Sequence, residues 1–308
     1  KTDNKSQKIP FHQTLTKRAV VLFISLFLLS ESSVVSAGNN GLKIVQNLET
    51  TQQNNTRAEA EKLIKEGLEL FKQGTAESFI KAREKWQAAL VLWEQLGDKS
   101  WQANILLGIG RVYDKLGEKQ KALSHYDQAL PLFRAVVNKG GEAGTLNNIG
   151  LVYSDLGEKQ KALSYYKQAL PLFRAVGDWG GQAKSLNNIG HVYSALGEPQ
   201  KALSYYNQAL PLLLLVGNRV VVATTLNNIG LVYHNLGENQ KALSYYNQAL
   251  PLSRAVGNKD VEATTLHNTG LVYGKLGEKQ KALSYYNQAL ALDRAVGNKG
   301  GEATTFNS

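Results

Sequence analysis

Residues 145–176 read TLNNIGLVYSDLGEKQKALSYYKQALPLFRAV, and this stretch decides the fold. Its first half places small and apolar residues at the spacings i, i+3, i+4 and i+7 that share one helix face: Leu146, Ile149, Gly150 and Tyr153. Leu156-Gly157 predicts a helix end, because glycine readily adopts the left-handed conformation that follows a helix. The second half predicts another helix, whose buried stripe is Ala162, Tyr165, Tyr166, Ala169 and Phe173. The stretch therefore predicts an antiparallel helix pair.

The same pattern recurs along most of the chain. Glycine marks it at intervals of 40 residues, at Gly110, Gly150, Gly190, Gly230 and Gly270. A degenerate copy precedes these, because Ala82 and Trp86 stand 40 residues before Ala122 and Tyr126. We therefore predict six repeats, over 58–100, 101–140, 141–180, 181–220, 221–260 and 261–300, followed by 301–308 as the start of a truncated seventh. The predicted fold class is an all-α, right-handed superhelical α-solenoid of antiparallel helix pairs.

The repeat resembles the tetratricopeptide repeat. That family's pattern of Leu, Gly, Tyr, Ala, aromatic and Ala is met by Leu146, Gly150, Tyr153, Ala162, Tyr166 and Ala169. The length of 40 residues, longer than the usual unit, is similar to the repeats of kinesin light chain and of many bacterial multi-repeat proteins. The resemblance implies a scaffold that binds proteins.

Prolines depart from the usual family pattern, because they stand inside the predicted second helices, at Pro131, Pro171, Pro211 and Pro251. Each removes a helical hydrogen bond and crowds the carbonyl four residues earlier. We predict a bend at these four positions and a straighter helix at Ala291, which occupies the same place in the last copy.

Composition excludes several classes of chemistry. The 308 residues contain no cysteine, which excludes disulfides, thiolate metal sites and a cysteine nucleophile in this sequence. The net charge is +10, but many of the lysines recur beside a glutamate, as Lys161 does beside Glu158. This repeated pairing indicates a solvated helix face rather than a nucleic-acid groove. The acidic and histidine residues do not converge on a pocket, so we predict no catalytic residue and no cofactor.

The first 37 residues have the plan of a secretory signal peptide. Lys17 and Arg18 precede an apolar run over 19–30, and Val35-Ser36-Ala37 supplies small residues before a predicted cleavage at Gly38. The run is shorter than a membrane-spanning helix needs, although an uncleaved anchor is the alternative. Export to the periplasm or the extracellular space is therefore predicted, and residues 38–57 are predicted to be a polar linker without helical periodicity.

One face of each first helix is free if Leu146 and Tyr153 face the core, and we predict that this face lines the inner wall of the superhelix. The wall carries two adjacent asparagines in most repeats and a more variable position three residues later. As peptide-binding residues we therefore predict Asn147, Asn148, Leu151, Asn187, Asn188, His191, Asn227, Asn228, Leu231, Asn268 and Leu271. An asparagine amide offers two donors and an acceptor to an extended peptide backbone. The alternative is that these amides bond to neighbouring helices or to water.

Three histidines share this wall, at His191, His234 and His267, but their axial positions differ, so no metal site is predicted. The stretch 212–216 with 220–222 is more apolar than its counterparts, and the sequence leaves open whether it is exposed or buried against the next repeat.

Three functions follow from these patterns. The leading hypothesis is a non-catalytic scaffold that binds an extended peptide or a partner helix. The repeats also resemble those of cyanobacterial proteins that continue into a caspase-like CHAT protease domain, which would make them a sensing arm. The third hypothesis is end-to-end self-association through similar repeats.

Overall fold

The computed structural model describes the backbone of residues 35–306 and the side chains of residues 45–306. Within that part of the chain there are thirteen helices and no strand. They are α1 (Val35–Gln73), α2 (Ala76–Gln95), α3 (Lys99–Lys115), α4 (Lys119–Ala135), α5 (Lys139–Asp155), α6 (Lys159–Ala175), α7 (Trp179–Ala195), α8 (Pro199–Leu215), α9 (Arg219–Asn235), α10 (Asn239–Ala255), α11 (Lys259–Lys275), α12 (Lys279–Val296) and α13 (Lys299–Phe306). Consecutive helices pack in pairs from α3 onward, which confirms the predicted all-α solenoid of helix pairs.

Contacts divide the chain after Glu59 into two units, and the helix pairs belong to the unit that begins at Ala60. Residues 38–57, for which the sequence shows no helical periodicity, are helical and belong to α1. The described side chains there are mostly exposed, and threonine hydroxyls such as that of Thr50 bond to carbonyls four residues earlier. The role of this segment as a linker stays a prediction, and the signal-peptide residues 1–34 lie outside the described part.

Local capping sets where the first helices begin. The side chain of Asn138 accepts a hydrogen bond from the backbone N–H of Gly141 at 2.8 Å, and Asp98, Asp178, Asn218 and Asn258 cap the other first helices in the same way. The pairs turn at glycines with positive φ, such as Gly157 at 77°. Val137 is the single non-glycine with positive φ among residues 35–306, at 55°.

The centre of each pair is a glycine packed against a tyrosine ring. A Cβ atom placed on Gly150 would lie 2.6 Å from Cε1 of Tyr166, closer than two carbon atoms can approach. Gly110, Gly190, Gly230 and Gly270 meet Tyr126, Tyr206, Tyr246 and Tyr286 in the same way. The two helices therefore approach closely at Gly150. In the first pair Gly67 makes the equivalent contact with Trp86, whose Nε1 donates to the carbonyl of Ile64 at 3.2 Å.

The pairs stack so that successive first helices, from α3 to α13, touch one another. Successive second helices make no contact of comparable extent anywhere in 35–306. Polar contacts also link neighbouring pairs: Lys119 bonds to Asp155 in the next pair, and Nζ of Lys159 donates to the carbonyl of Ala195 at 2.6 Å. The first helices therefore lie on the more crowded side of the stack.

The prolines do not interrupt the second helices. Each helix with a central proline runs 17 residues, whereas α12, with Ala291 in that place, runs 18. The bend at the prolines stays a prediction. Among the helices of residues 35–306, none combines the length and the apolar character that a membrane crossing requires.

Candidate functional site

The predicted wall residues all lie on the first helices α5, α7, α9 and α11, on the side where successive first helices meet. The structure brings their asparagines together across repeats rather than leaving each amide separate. Asn147 accepts a hydrogen bond from the Ser185 hydroxyl at 3.1 Å and a longer one from Nδ2 of Asn188 at 3.4 Å. The two contacts join α5 to α7.

The next junctions repeat this arrangement. Asn187 accepts from the Thr225 hydroxyl at 2.8 Å, and Asn227 accepts from Nδ2 of Asn268 at 3.0 Å. In the last repeat His267 takes the place of the first asparagine, and its Nδ1 lies 3.2 Å from the Thr305 hydroxyl. The alternative that the sequence left open, bonding to the neighbouring helix, therefore holds for the side-chain oxygens of Asn147, Asn187 and Asn227. The peptide-binding role stays a prediction.

Asn148 and Asn228, the other two predicted asparagines of the wall, are half-buried. Asn228 hydrogen-bonds to the hydroxyl of Tyr206 and so ties the face to the core of the preceding pair. Burial raises the pKa of Tyr206 and of Tyr166, so these phenols stay protonated at any physiological pH. The Asn148 side chain has no hydrogen bond to another described residue.

The variable position of the face alternates in polarity. Leu151, Leu231 and Leu271 are half-buried, whereas His191 is exposed. In the repeat before them Arg111 holds this place, with its guanidinium 5.3 Å from the centre of the Phe71 ring. The face thus presents amides at a constant register and either apolar or charged groups between them.

The histidines do not form a metal site in the described residues. His234 pairs with Asn239 and His267 with Thr305, while His191 stands alone on an exposed turn of α7. No group of three or more His, Asp or Glu side chains suited to a metal ion occurs among residues 35–306. Burial lowers the pKa of His267, which favours its neutral form.

Sequence reasoning missed the junctions between one pair and the next. The last buried residue of each second helix packs on the first turn of the following helix: a Cβ atom on Gly141 would lie 2.3 Å from the ring of Phe133. The pairing of residue types at these two positions is Phe133 with Gly141, Phe173 with Gly181, Leu213 with Val221, Ser253 with Val261 and Asp293 with Gly301. In these five junctions a phenylalanine is accompanied by glycine and a smaller first residue by valine, with Asp293 as the exception. The junction between α2 and α3 is different, because Trp93 and Trp101 stack there with ring centres 5.2 Å apart. Comparing these two columns of the sequence would have revealed the exchange of volume.

An ion pair closes the rim of three junctions. Nε of Arg134 bonds to Oε1 of Glu142 at 2.6 Å, and Arg254–Glu262 and Arg294–Glu302 repeat the contact. In the junction after α8 these positions hold Leu214 and Val222 instead.

This junction also settles the apolar stretch that the sequence left open. Leu213 and Val222 are buried at 1% and 3% exposure, whereas Leu214 and Leu215 are 62% and 70% exposed. One part of the stretch therefore packs between repeats, and the other faces solvent.

The geometry defines a stack of helix pairs that presents a polar face and has a variable junction between each pair and the next. A family model described as tetratricopeptide repeat matches residues 75–135, 141–214 and 221–295. The chain therefore belongs to the tetratricopeptide repeat family. No curated protein sequence matches it significantly.

Solved structures share the fold at low sequence identity. The structure of BtubC (BKLC) from P. vanneervenii is 22% identical with a TM-score of 0.60, covering 75% of this chain and 92% of that one. The apo form of RapI is 17% identical with a TM-score of 0.66, covering 81% and 95%. A Rap protein complexed with Competence and Sporulation Factor is 17% identical with a TM-score of 0.59, covering 81% and 73%. These likenesses establish the fold, which is typically a non-catalytic interaction scaffold.

Proposed function

We propose that the first-helix face of this protein binds an extended peptide or a helix of a partner protein, without catalysing a reaction. The observation that carries the proposal is the direction of the asparagine bonds. The side-chain oxygens of Asn147, Asn187 and Asn227 accept bonds from the next repeat. Their amide hydrogens are not used in those bonds, but Asn147 and Asn227 are buried, so the donors that a ligand can reach come from the half-buried asparagines. These are Asn148, Asn187, Asn188 and Asn228.

A donor-rich face suits the carbonyl oxygens of an extended backbone. Sequence-tolerant contacts to the ligand backbone would come from the amides, and preference for one ligand register would come from Leu151, His191, Leu231 and Leu271 between them. The contacts between successive first helices favour this side as the concave one. The fold likeness to a Rap protein complexed with Competence and Sporulation Factor supports a ligand-binding role for a solenoid of this kind.

A peptide array probed with the full chain tests the proposal. The test variant combines Asn148→Ala, His191→Ala, Leu231→Ala and Leu271→Ala, none of which removes a bond between asparagines. The matched control changes four exposed glutamines of the second helices to alanine. They bond only within their own helix: Gln128, Gln168, Gln208 and Gln248.

We expect the parent and the control to bind the same peptides and the test variant to lose them, with helical content equal by circular dichroism. Equal binding by all three proteins would place the ligand elsewhere on the molecule. An array on which no peptide binds the parent would remove the peptide hypothesis.

We further propose that the protein is exported, on the strength of the basic residues and apolar run at 17–30. A fusion of residues 1–40 to a reporter enzyme that is active only outside the cytoplasm should be active in a bacterial host. The same fusion with Ile24→Arg and Leu28→Arg should be inactive, since charges in the apolar run block export. Activity of both fusions would contradict the proposal.

A further inference from the structure

The junction after α8 exposes apolar side chains that its packing does not need. Leu213 and Val222 already fill the space between α8 and α9. Leu214 and Leu215 point into solvent, where the junctions after α4, α6, α10 and α12 have an arginine and an alanine, as at Arg134 and Ala135. Neither leucine is explained by the stability of the solenoid.

Exposed apolar groups continue along the same edge. Val216 and Val220 are exposed next to the two leucines, and Val176 and Trp179 are exposed in the preceding junction. Trp179 stands where every other junction has a basic residue: Lys139, Arg219, Lys259 and Lys299. Because paired helices are antiparallel, the start of α7 lies at the same end of the stack as the end of α8 and the start of α9, where Ala183, Leu213 and Val222 share one cluster. The exposed residues beside that cluster therefore form one surface. We call it the apolar edge: Val176, Trp179, Leu214, Leu215, Val216 and Val220.

The charges around the apolar edge differ from those of the other junctions. Arg174 faces the position of Gln182 rather than a glutamate, and the side-chain oxygen of Gln182 is buried without a hydrogen-bond partner in 35–306. Neither Arg174 nor Arg219 forms an ion pair with another described residue. Asp178, the one acid beside them, accepts the N–H of Gly181 as the cap of α7. Two arginines without a carboxylate therefore border an apolar surface.

The composition of this edge selects the kind of partner. Tryptophan and arginine are enriched at protein interfaces, where apolar groups are buried in the centre and charges stand at the rim. A second copy of this chain would bring arginines against arginines, and the net charge of +10 opposes that approach at long range. An acidic partner would be attracted by the arginines of the edge and, at long range, by the net charge.

We propose that the apolar edge is a docking surface for an acidic amphipathic helix of another protein. Its leucine-type side chains would lie on the edge, and its carboxylates would pair with Arg174 and Arg219. This surface is distinct from the first-helix face that carries the asparagines, so the inference does not depend on the proposed function.

Fluorescence polarisation with the full chain tests the proposal. The probe is a labelled helical peptide of about 18 residues, five turns long, with leucines on one face and glutamates on the other. A second probe replaces every glutamate by lysine. The test variant combines Trp179→Lys, Leu214→Arg and Leu215→Ala, which installs residues that the other junctions carry at the same positions. The control variant, Leu276→Lys, changes an exposed leucine on the opposite edge.

We expect the glutamate peptide to bind the parent and the Leu276→Lys control, with affinity at least about tenfold weaker for the test variant and for the lysine peptide. The variant with alanine at 148, 191, 231 and 271 of the first-helix face should bind the glutamate peptide as the parent does. Unchanged affinity in the test variant, or equal affinity for the two peptides, would overturn the proposal. Self-association of the parent that the test variant loses would also overturn it, in favour of a second copy as the occupant.

Discussion

The junction between α4 and α5 and the junction between α8 and α9 solve the same packing problem in different ways. The first places the ring of Phe133 on Gly141 and closes its rim with the Arg134–Glu142 pair. The second replaces both contacts by branched aliphatic residues and leaves Leu214 in solvent. The comparison shows that the backbone of the solenoid tolerates an exchange of volume and of charge, provided that both partners change together.

The largest effect should come from combining the phenylalanine of one junction with the valine of the other. Gly141→Val places side-chain atoms where the Phe133 ring lies, and we expect destabilisation by about 3 kcal/mol. The double change Phe133→Leu with Gly141→Val copies the junction after α8 and should recover most of that loss. Chemical denaturation of the two variants measures the coupling. A double variant as unstable as Gly141→Val would show that the exchange of volume is not what relates these junctions.

The last junction offers a sharper version of the comparison, because Asp293 occupies the place of Phe133 above Gly301. Burial raises the pKa of Asp293 above its usual value of 3.8. The folded state therefore binds this proton more tightly than the unfolded state, and the parent gains stability as the pH falls from neutral towards 3.8. Asp293→Phe should stabilise the protein by about 1 kcal/mol or more at neutral pH.

The stabilising effect of Asp293→Phe should shrink as the pH is lowered, because the parent then carries a neutral carboxyl group. Thermal melts of both proteins at several pH values measure the difference. Asp293→Asn, which is neutral at every pH, is the control that separates charge from volume. A difference between Asp293→Phe and the parent that does not vary with pH would contradict this account.

Backbone strain distinguishes the junction between α4 and α5 from the others. Val137 has positive φ and is 76% exposed, whereas glycine fills this place after α6, α8, α10 and α12. Because a β-branched residue is strained in the left-handed region, Val137→Gly should stabilise the protein by about 1 kcal/mol. The reverse change, Gly177→Val, should destabilise it by a similar amount. Denaturant midpoints would show whether the two changes have opposite signs.

The charged rim should matter least. Replacing Arg134 by leucine and Glu142 by valine gives the junction between α4 and α5 the rim residues of the junction between α8 and α9. We expect a change in stability below about 1 kcal/mol, because the arginine is about half exposed. Added salt should lower the stability of the parent slightly more than that of the variant, which keeps the other ion pairs but lacks this one. A loss of several kcal/mol would make the ion pair a structural requirement of the first junction.

The interior of each pair could be predicted from the sequence. Gly150 and Tyr166 recur at fixed spacing, and no arrangement other than close helix contact explains a glycine facing an aromatic ring in every repeat. The asparagines could not be assigned in the same way, because one amide can bond to a ligand or to the next helix with equal ease. Geometry decided for Asn147 and Asn227, since Ser185 and Asn268 stand within hydrogen-bonding distance.

Two other features lay beyond the sequence for different reasons. The helix over 38–57 has no apolar stripe, so the periodicity that reveals other helices is missing there. The split of the apolar stretch after α8 depends on the rotation of single residues, since Leu213 is buried and Leu214 is exposed. A continuous run of apolar residues has no periodicity, so it does not predict which of its residues faces inward.

The bonds that join the asparagines have a consequence for the length of the molecule. Asn147 meets Ser185 and Asn188, and Asn187 meets Thr225, at the same offsets in the next repeat. Removal of residues 181–220 would bring Thr225 and Asn228 opposite Asn147. They would supply two donors in place of those of Ser185 and Asn188. Each asparagine link requires only the adjacent unit, so these links re-form after a whole unit is deleted or duplicated. The junction is less tolerant, because removal of 181–220 would place Phe173 against Val221 in place of Gly181. Length is therefore a property that gene duplication can adjust in steps of one helix pair.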